Sequence, residues 1–312
     1  MQLRSHPTAL VASLALATAS AAAAADIYST SFDDYGAANL SGQLAWIGTG
    51  GTWAVSGSVN SPFTAAQVIG AGVNPGVDPF GGTGRMVRVC TEKFNAGRTK
   101  AWLDLLNTGK WAAASAGGNG VLETSVAMYV PSGQALASGF GIMVSKSSFE
   151  TSGGFVVSAQ TGAISFLNGG YAAANRSPAG VSVSLNQWHT YTYRWEVATG
   201  AGELLVDGQS VGTHVTTLKG SLYASNLLAV TDATPGSLNA FGYFDDLALR
   251  AVPPAPPPPQ CPADLDDSGS VDGADLGVLL SSWGSSGADL DGSGTVDGAD
   301  LGILLSAWGA CG

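Results

Sequence analysis

Basic residues are scarce in this chain, and its C-terminal segment has none. The chain holds 12 Lys and Arg against 23 Asp and Glu, and no Lys or Arg occurs in residues 261–312. Nine of the acidic residues lie in that segment, so the remainder is nearly neutral, with 14 acidic and 12 basic residues. Because nucleic-acid binding needs a basic stripe that neutralises phosphates, this distribution argues against nucleic acid as a partner.

Histidine is also rare, and no set of residues typical of catalysis stands out. Of the three histidines, only His189 and His214 follow the N-terminal segment. No Ser-His-Asp order is evident, so no catalytic residue is assigned. Glu123, Glu196 and Glu203 lie on or beside predicted strands, but separately, whereas a retaining glycosidase needs two carboxyl groups about 5–5.5 Å apart. Catalysis is not excluded, because distant strands can assemble a site.

Long hydrophobic runs are absent after the N-terminus. Arg4 and His6 precede an apolar stretch at 8–16, and small residues continue to Ala25. This pattern predicts a signal peptide over 1–25 and a secreted or cell-surface protein. A retained anchor is the alternative, but the Ala-rich stretch is weakly hydrophobic, which favours cleavage. No later membrane span is expected.

Abundant glycine and short alternating runs predict an all-β fold for residues 26–252. At 188–197, His189, Tyr191, Tyr193 and Trp195 share one face, as in a half-buried strand. The clearest predicted strands are 85–90, 121–130, 139–146, 155–160, 163–168, 188–197, 203–206 and 241–249.

Two hairpin turns and one helix complete the prediction for this region. Thr161-Gly162 joins two predicted strands, and Asp207-Gly208 is a strong type I′ turn signal. Only residues 102–106 have the pattern of a short helix. Regularly spaced short strands over this length indicate a single β-sandwich.

A proline-rich linker follows at 253–260. Six of the nine residues at 252–260 are proline. This composition favours polyproline II, which extends about 3.1 Å per residue and is semi-rigid. We therefore expect the linker to separate the sandwich from a small domain at 261–312.

The small domain is a 25-residue repeat, with copies beginning at Asp264 and Asp289. Each copy opens with a twelve-residue loop that has oxygen-bearing side chains at positions 1, 3, 5, 9 and 12 and Gly at position 6. This spacing is that of an EF-hand-type calcium loop. The alternative is a pair of solvated acidic turns, but two matches in one register favour calcium.

An apolar stripe follows each loop with helical spacing. Four apolar residues fall at i, i+3, i+4 and i+7 in both copies. Since neither short helix can bury its stripe alone, we expect the two copies to pack face to face. The stripes are Leu276, Leu279, Leu280 and Trp283, and Leu301, Leu304, Leu305 and Trp308.

With its duplicated loop and single following helix, segment 261–312 resembles a type I dockerin. The resemblance implies two bound calcium ions and a cohesin-like partner protein. Loop positions 10 and 11 are Gly-Ala, where cohesin-binding dockerins usually carry Ser or Thr, and position 5 is Ser instead of Asp or Asn. The implied ligands are Asp264, Asp266, Ser268, the Ser270 carbonyl, Asp272 and Asp275 in site 1, and Asp289, Asp291, Ser293, the Thr295 carbonyl, Asp297 and Asp300 in site 2.

The three cysteines divide between the two domains. Cys261 and Cys311 bracket the repeat, whose pseudo-two-fold arrangement brings the ends together, so a disulfide is geometrically reasonable and is permitted outside the cell. Cys90 is left over, and its expected role is that of a small buried hydrophobe.

Four short motifs in residues 26–252 resemble a laminin-G-like, concanavalin A-like jelly roll. They are Asn-Gln-Trp-His-Thr-Tyr at 186–191, Gly-Glu-Leu-Leu-Val-Asp-Gly at 202–208, Gly-Tyr-Phe-Asp-Asp-Leu at 242–247 and Ser-Phe-Asp-Asp at 31–34. The opening motif at 31–34 would be the neighbour of the closing motif at 242–247 if the first and last strands pair. Enzymes on this fold commonly carry a Glu-x-Asp-x-Glu run or a Tyr-x-Lys-rich strand, and neither occurs here.

Two further candidate sites lie in this domain. Asp33, Asp34, Asp245 and Asp246 would hold a third calcium if the terminal strands are adjacent, although exposed acids at strand ends are the simpler interpretation. Lys110, Trp102 and Trp111 would offer a stacking platform for sugar rings, although core packing is favoured for tryptophan.

These patterns predict a secreted protein with two modules. In this interpretation, the sandwich binds a polysaccharide or cell-surface glycan, and the calcium module tethers it to a partner. The alternatives are a polysaccharide-degrading enzyme that acts on O-glycosyl bonds and a purely structural envelope protein.

Overall fold

The computed structural model divides into two compact units, 1–254 and 255–312. The predicted signal peptide, apart from residues 23–25, and the linker prolines at 256–259 lie outside the described residues. The residues described are 23–43, 52–57, 59, 64–73, 76–92, 97–134, 138–147, 150–231, 239–255 and 261–311.

The larger unit is an antiparallel β-sandwich. In its first sheet, β4 and β1 share one edge of the long strand β15, while β6 pairs with its other edge. The first sheet contains, in spatial order, β13 (Gln209–Val215), β12 (Ala201–Val206), β11 (Trp188–Glu196), β6 (Val121–Tyr129), β15 (Phe241–Val252), β4 (Arg85–Cys90) and β3 (Ala66–Gly70), with β1 (Ala25–Thr30) also paired to β15.

The second sheet packs against the first across the hydrophobic core. Its central strands β7 and β14 are buried along their whole length. The second sheet contains, in spatial order, β10 (Arg176–Ser182), β9 (Ala163–Leu167), β8 (Thr151–Ser158), β7 (Ser138–Ser145), β14 (Ala224–Thr231), β5 (Arg98–Trp102) and β2 (Ala54–Ser56).

Aromatic alternation on β11 fixes which face of the first sheet is buried. Tyr191, Tyr193 and Trp195 are each at most 1% exposed and lie in the core between the sheets. Full burial of such side chains stabilises a fold by about 1.5–3 kcal/mol each. The predicted β-sandwich is confirmed.

Both predicted hairpin turns are present. Asp207 and Gly208 have φ values of 50° and 81°, the left-handed pair that a type I′ turn requires. Gly162 has φ 71°, and a Cβ there would lie 2.0 Å from the carbonyl oxygen of Val183. Glycine is therefore required at this turn for steric as well as conformational reasons.

The predicted helix at 102–106 is wrong. Trp102 ends strand β5, and the buried Leu103 and Leu105 follow it in irregular structure that precedes a turn. The Asp104 carboxylate accepts a hydrogen bond from the Asn107 backbone N–H at 2.7 Å, which favours a turn over a helix. The helix of this region, α1, runs instead from Lys110 to Ser115.

The smaller unit consists of two loop–helix repeats around one core. Its elements are β16 (Ser270–Val271), α2 (Gly273–Ser281), α3 (Gly298–Ser306) and β17 (Gly309–Ala310). Both helices contribute to the core through the fully buried Leu279 and Leu304. A disulfide joins Cys261 to Cys311, with Cα atoms 5.7 Å apart, while Cys90 is free and buried in the sandwich.

The two helices share one core, as expected, but the apolar stripes that follow the loops are only half buried. Leu280, Trp283, Leu305 and Trp308 are each about half exposed. The helices end at residues 281 and 306, so both tryptophans lie beyond the last turn. The core of this unit fully buries only Leu279 of the first stripe and Leu304 of the second.

None of the helices in the described part of the chain combines the length and apolar character that crossing a bilayer requires.

Candidate functional site

The first repeat loop folds around the carboxylate of its first residue. Asp264 accepts hydrogen bonds from the backbone N–H groups of Ser268 at 3.0 Å and Gly269 at 2.8 Å. The chain can fold back because Asp267 and Gly269 both have left-handed φ values, 57° and 88°. The glycine at position 6 was expected, whereas the left-handed residue at position 4 was not.

The last residue of the loop is buried and held by three backbone groups. Asp275 accepts from the N–H of Leu265 at 2.7 Å, of Asp266 at 3.2 Å and of Asp272 at 2.8 Å. These hydrogen bonds, that from Asp272 foremost, lower the pKa of Asp275. The loop thus presents a carboxylate that stays charged without a basic partner.

Three carboxylates converge in this loop. Asp264, Asp266 and Asp275 each place one oxygen within 4.8 Å of the other two. At this separation three like charges repel one another unless a cation lies among them. Carboxylate, hydroxyl and carbonyl oxygens are the ligands that hard cations prefer, so the donor set fits a calcium-type ion.

Of the remaining implied ligands of site 1, the two at positions 5 and 7 contact each other, whereas Asp272 caps helix α2. The Ser268 hydroxyl donates to the Ser270 carbonyl oxygen at 3.1 Å, so loop positions 5 and 7 lie together. Asp272 lies outside the triad, and its carboxylate accepts from the Ala274 N–H at 2.8 Å as the cap of helix α2.

The second loop repeats this geometry. Asp289, Asp291 and Asp300 form the equivalent triad within 4.8 Å. Asp300 accepts from the Asp297 N–H at 2.7 Å, and position 4 is Gly292 with φ 74°. The hydroxyl at position 5 again contacts the carbonyl at position 7, from Ser293 to Thr295 at 3.2 Å.

The segment that follows each helix forms backbone hydrogen bonds with one of the two loops. Only the segment that contacts loop 1 is also held by the disulfide. Strand β17 pairs with β16 in loop 1, and the Cys311 N–H donates to the Gly269 carbonyl at 3.1 Å. The Cys311 sulfur lies 3.6 Å from a carboxylate oxygen of Asp264. In loop 2 the Val296 N–H donates to Ser285 at 2.7 Å, without a disulfide.

The acidic residues at the sandwich termini do not form a comparable triad. The condition for this site is met, because the first and last strands of the sandwich are adjacent through β1 and β15. Asp245 is buried and accepts from the N–H groups of Phe80 at 3.0 Å and Asp246 at 2.8 Å. Asp33 instead accepts from the Arg85 N–H at 2.7 Å. Within the described residues, three carboxylates converge in the two C-terminal loops and not here.

Two of the candidate catalytic glutamates belong to a charge ladder on the outer face of the first sheet. The Arg194 guanidinium contacts Glu123 at 2.8 Å and Glu203 at 3.4 Å. Arg250 contacts Glu123 at 3.6 Å and Asp26 at 2.9 Å. Opposite charges therefore alternate across five strands, which gives these carboxylates a structural role.

Glu196 and both histidines also have local partners. Glu196 accepts from the Thr199 hydroxyl at 2.5 Å. His189 contacts the Asp207 carboxylate at 2.6 Å and thereby braces the type I′ hairpin. His214 stacks on a phenylalanine ring, and burial lowers its pKa to about 4.

The expected platform of Lys110, Trp102 and Trp111 is not assembled as one surface. Trp111 packs against the sandwich core from helix α1. Trp102 lies on the second sheet, where its Nε1 donates to the Tyr223 hydroxyl at 3.3 Å and Lys100 Nζ lies 4.3 Å from its ring centroid. Sequence reasoning missed Lys100, although its two-residue spacing from Trp102 places both on one face of a strand.

Comparison with known proteins identifies no family. The sequence matches no protein-family model and no curated protein. A carbohydrate esterase from the Shiga toxin-encoding bacteriophage phi24B is 16% identical, with TM-score 0.43 over 74% of this chain and 100% of that one. Cellulose induced protein Cip1 is 12% identical, with TM-score 0.45 over 73% and 99%. Domain 4 of AbnA, an extracellular arabinanase from Geobacillus stearothermophilus, is 11% identical, with TM-score 0.39 over 73% and 93%.

Proposed function

We propose that the C-terminal unit is a calcium-binding module of the dockerin type. The observation that carries this proposal is the convergence of three carboxylates within 4.8 Å in each of two repeated loops. Asp264, Asp266 and Asp275 would hold one ion, together with Ser268 and the Ser270 carbonyl. The equivalent residues of the second loop would hold the other.

In this module calcium would supply the positive charge that residues 261–312 lack. Residues 261–312 contain no Lys or Arg, so no side chain of this segment can neutralise the triads. Each triad is assembled only when the loop is folded, so the free energy of calcium binding adds to that of folding. Calcium removal should therefore loosen the loops and unfold the unit.

Chelation tests the calcium proposal. The far-UV circular dichroism of the full chain should lose the signal of α2 and α3 when a chelator is added and regain it with calcium. Magnesium at the same concentration should restore less, because it demands a tighter octahedral site. Unchanged helical signal with and without chelator would overturn the proposal.

We propose that the calcium-loaded module tethers the chain to a cohesin-like protein. Trp283 and Trp308 support this role, because they occupy equivalent positions in the two repeats and are each about half exposed. Binding to a panel of cohesin domains, measured with and without calcium, tests the tether. Failure to bind any of them in calcium would exclude this class of partner.

We propose that the sandwich binds a polysaccharide or cell-surface glycan. Trp102 and Tyr223, joined by a hydrogen bond on the second sheet, support this role because aromatic rings with polar edges suit sugar rings. Affinity electrophoresis of the full chain through gels that contain different polysaccharides tests it. Unretarded migration in every gel would overturn it.

We also propose that the protein is secreted or held at the cell surface. The disulfide between Cys261 and Cys311 supports this location, because disulfides persist in oxidising compartments. N-terminal sequencing of the mature protein should begin at or near Asp26. A mature protein that retains residues 1–25 would contradict cleavage.

A further inference from the structure

A row of cationic and aromatic side chains lies on the outer face of the second sheet. Alternation along β5 places Ala101 in the core and turns Arg98, Lys100 and Trp102 to the opposite face. Lys100 is 3% exposed, whereas Arg98 and Trp102 are partly exposed. The face thus carries two positive charges beside one aromatic ring.

The row continues through the segment that follows β9. The guanidinium carbon of Arg98 lies 4.4 Å from the ring centroid of Tyr171. The Tyr171 carbonyl accepts hydrogen bonds from Arg176 Nε at 2.9 Å and Nη2 at 2.6 Å. We call Arg98, Lys100, Trp102, Tyr171 and Arg176 the basic aromatic strip.

A buried amide beside the strip has an acceptor without a partner. Asn226 is cross-strand neighbour to Trp102 and fully buried. Its Nδ2 donates to the Met143 carbonyl at 2.7 Å and to the Ser145 hydroxyl at 2.8 Å, while its Oδ1 has no hydrogen-bond partner. A buried acceptor without a hydrogen-bond partner is costly to the fold.

The electrostatics of the strip favour an anion. Burial, followed by the charge of Arg98, lowers the pKa of Lys100 to about 8. Among the described residues, Glu92 is an acidic neighbour of this strand, and its Oε2 accepts a hydrogen bond from the Arg98 backbone N–H at 2.7 Å. An anionic group between the two cationic side chains would offset their repulsion.

We infer that the basic aromatic strip binds an anionic polysaccharide, whose acidic groups contact Arg98 and Arg176 and whose sugar rings stack on Trp102 and Tyr171. This inference rests on the proposed glycan-binding function of the sandwich. Carboxylates of uronic acids and sulfate esters share the required chemistry, since guanidinium groups bind both oxyanions through paired N–H donors.

Matched polysaccharides separate the two sources of charge. Polygalacturonate is compared with its fully methyl-esterified form, and a sulfated galactan with the same galactan after desulfation, by affinity electrophoresis and calorimetry on the full chain. We expect at least about tenfold tighter binding to one charged polymer than to its neutral counterpart, and weakening by added salt. The charged polymer that binds identifies the acidic group.

Variants at Arg98 and Trp102, with a control at Lys219, locate the site. Arg98→Gln should weaken binding by about tenfold or more, and Arg98→Lys should recover only part of it because the planar fork is lost. Lys219→Gln, which removes one exposed charge outside the strip, should bind like the wild type. Thermal unfolding of each variant confirms that it is folded, and Trp102→Ala provides an independent test if Arg98→Gln does not fold.

The outcomes separate a failure of the anionic-polysaccharide inference from a failure of the proposed glycan-binding function. Equal binding to charged and neutral polymers overturns the inference that the ligand is anionic, but it agrees with the proposed glycan-binding function. Wild-type binding by folded Arg98→Gln and Trp102→Ala overturns the assignment to this strip. Failure to bind any polymer, charged or neutral, overturns both the inference and the proposed function.

Discussion

The Asp275 carboxylate accepts a hydrogen bond from the backbone N–H of Asp272 at 2.8 Å, while the Asp272 carboxylate caps the same helix at the N–H of Ala274. Asp275 is therefore both the twelfth residue of the loop and the third residue of α2. The second repeat contains the same reciprocal pair, Asp297 and Asp300. An ion held at this carboxylate would thus be coupled directly to the start of the helix.

This coupling predicts the effect of removing Asp275 or Asp300. Each Asp→Ala change should raise the calcium concentration needed for half-maximal helical signal by at least about tenfold, because a ligand and part of a helix cap are lost together. Even without calcium, each variant should have a less stable helix start, because the third helical residue no longer accepts the backbone N–H of the N-cap residue. Calcium titration of the full chain, followed by far-UV circular dichroism, measures both effects.

The first repeat offers a matched control for charge. Asp267 is exposed and lies outside the triad, and the equivalent residue of loop 2 is Gly292. Asp267→Gly removes one negative charge and suits the left-handed backbone, so its calcium requirement should stay close to that of the wild type. Equal weakening by Asp267→Gly and Asp275→Ala would show that only net charge matters.

The disulfide should stabilise site 1 more than site 2. It closes a segment of 50 residues, for which the chain-entropy model gives about 4 kcal/mol. Because Cys311 lies 3.6 Å from Asp264, a Cys261→Ser/Cys311→Ser variant should lose affinity mainly at site 1. Calcium calorimetry resolves the two sites, and Cys90→Ala serves as the control. Equal loss at both sites would contradict this asymmetry.

The raised pKa of Asp245 predicts that the sandwich loses stability as the pH rises. Burial, together with the charges of Asp246 and Asp33, raises the pKa of Asp245 from 3.8 to about 7. Between these values the folded chain holds a proton that the unfolded chain has released. The stabilisation is therefore full below about pH 4 and is lost as the pH rises through 7.

The measurement for Asp245 is a difference between two melting curves. The low pKa of His214 gives the opposite slope below about pH 6.5, because only the unfolded chain then binds that proton. We therefore compare wild type with Asp245→Asn from pH 4 to 8. The variant should gain stability relative to the wild type as the pH rises, by roughly a few kcal/mol across the range. A constant difference would refute the prediction.

The charge ladder predicts that the two ion pairs of Arg194, with Glu123 and with Glu203, contribute unequally to stability. Arg194→Met should destabilise the sandwich by about 1–2 kcal/mol, because the Glu123 side chain is only 12% exposed and would keep just the 3.6 Å contact to Arg250. Glu203→Gln should cost less than about 0.5 kcal/mol, since that contact is longer and more exposed. Denaturant unfolding measures both, and equal losses would show that burial does not decide the cost.

Features built from neighbouring residues could be predicted from the sequence. The hairpin at Asp207-Gly208 depends on two backbone conformations, and all the groups of each metal loop lie within twelve residues. Strand β11 was predicted because one face is buried, which produces alternation. These signals are local, so no knowledge of the remaining chain is needed.

Other features depend on packing between distant segments. Strand β14 carries no alternation because both of its faces are buried, and the sequence did not identify it. The basic aromatic strip joins β5 to Tyr171 and Arg176, about 70 positions along the chain from Arg98. The exposure of Trp283 and Trp308 reflects a core too small to cover them, a property that periodicity does not contain.

Calcium stoichiometry of the full chain, measured by equilibrium dialysis, tests the central claim most directly. The account predicts two ions bound per wild-type chain, one per chain for each of Asp275→Ala and Asp300→Ala near the wild-type dissociation constant, and none for the double variant. No bound calcium in the wild type, or two ions retained by the double variant, would contradict it.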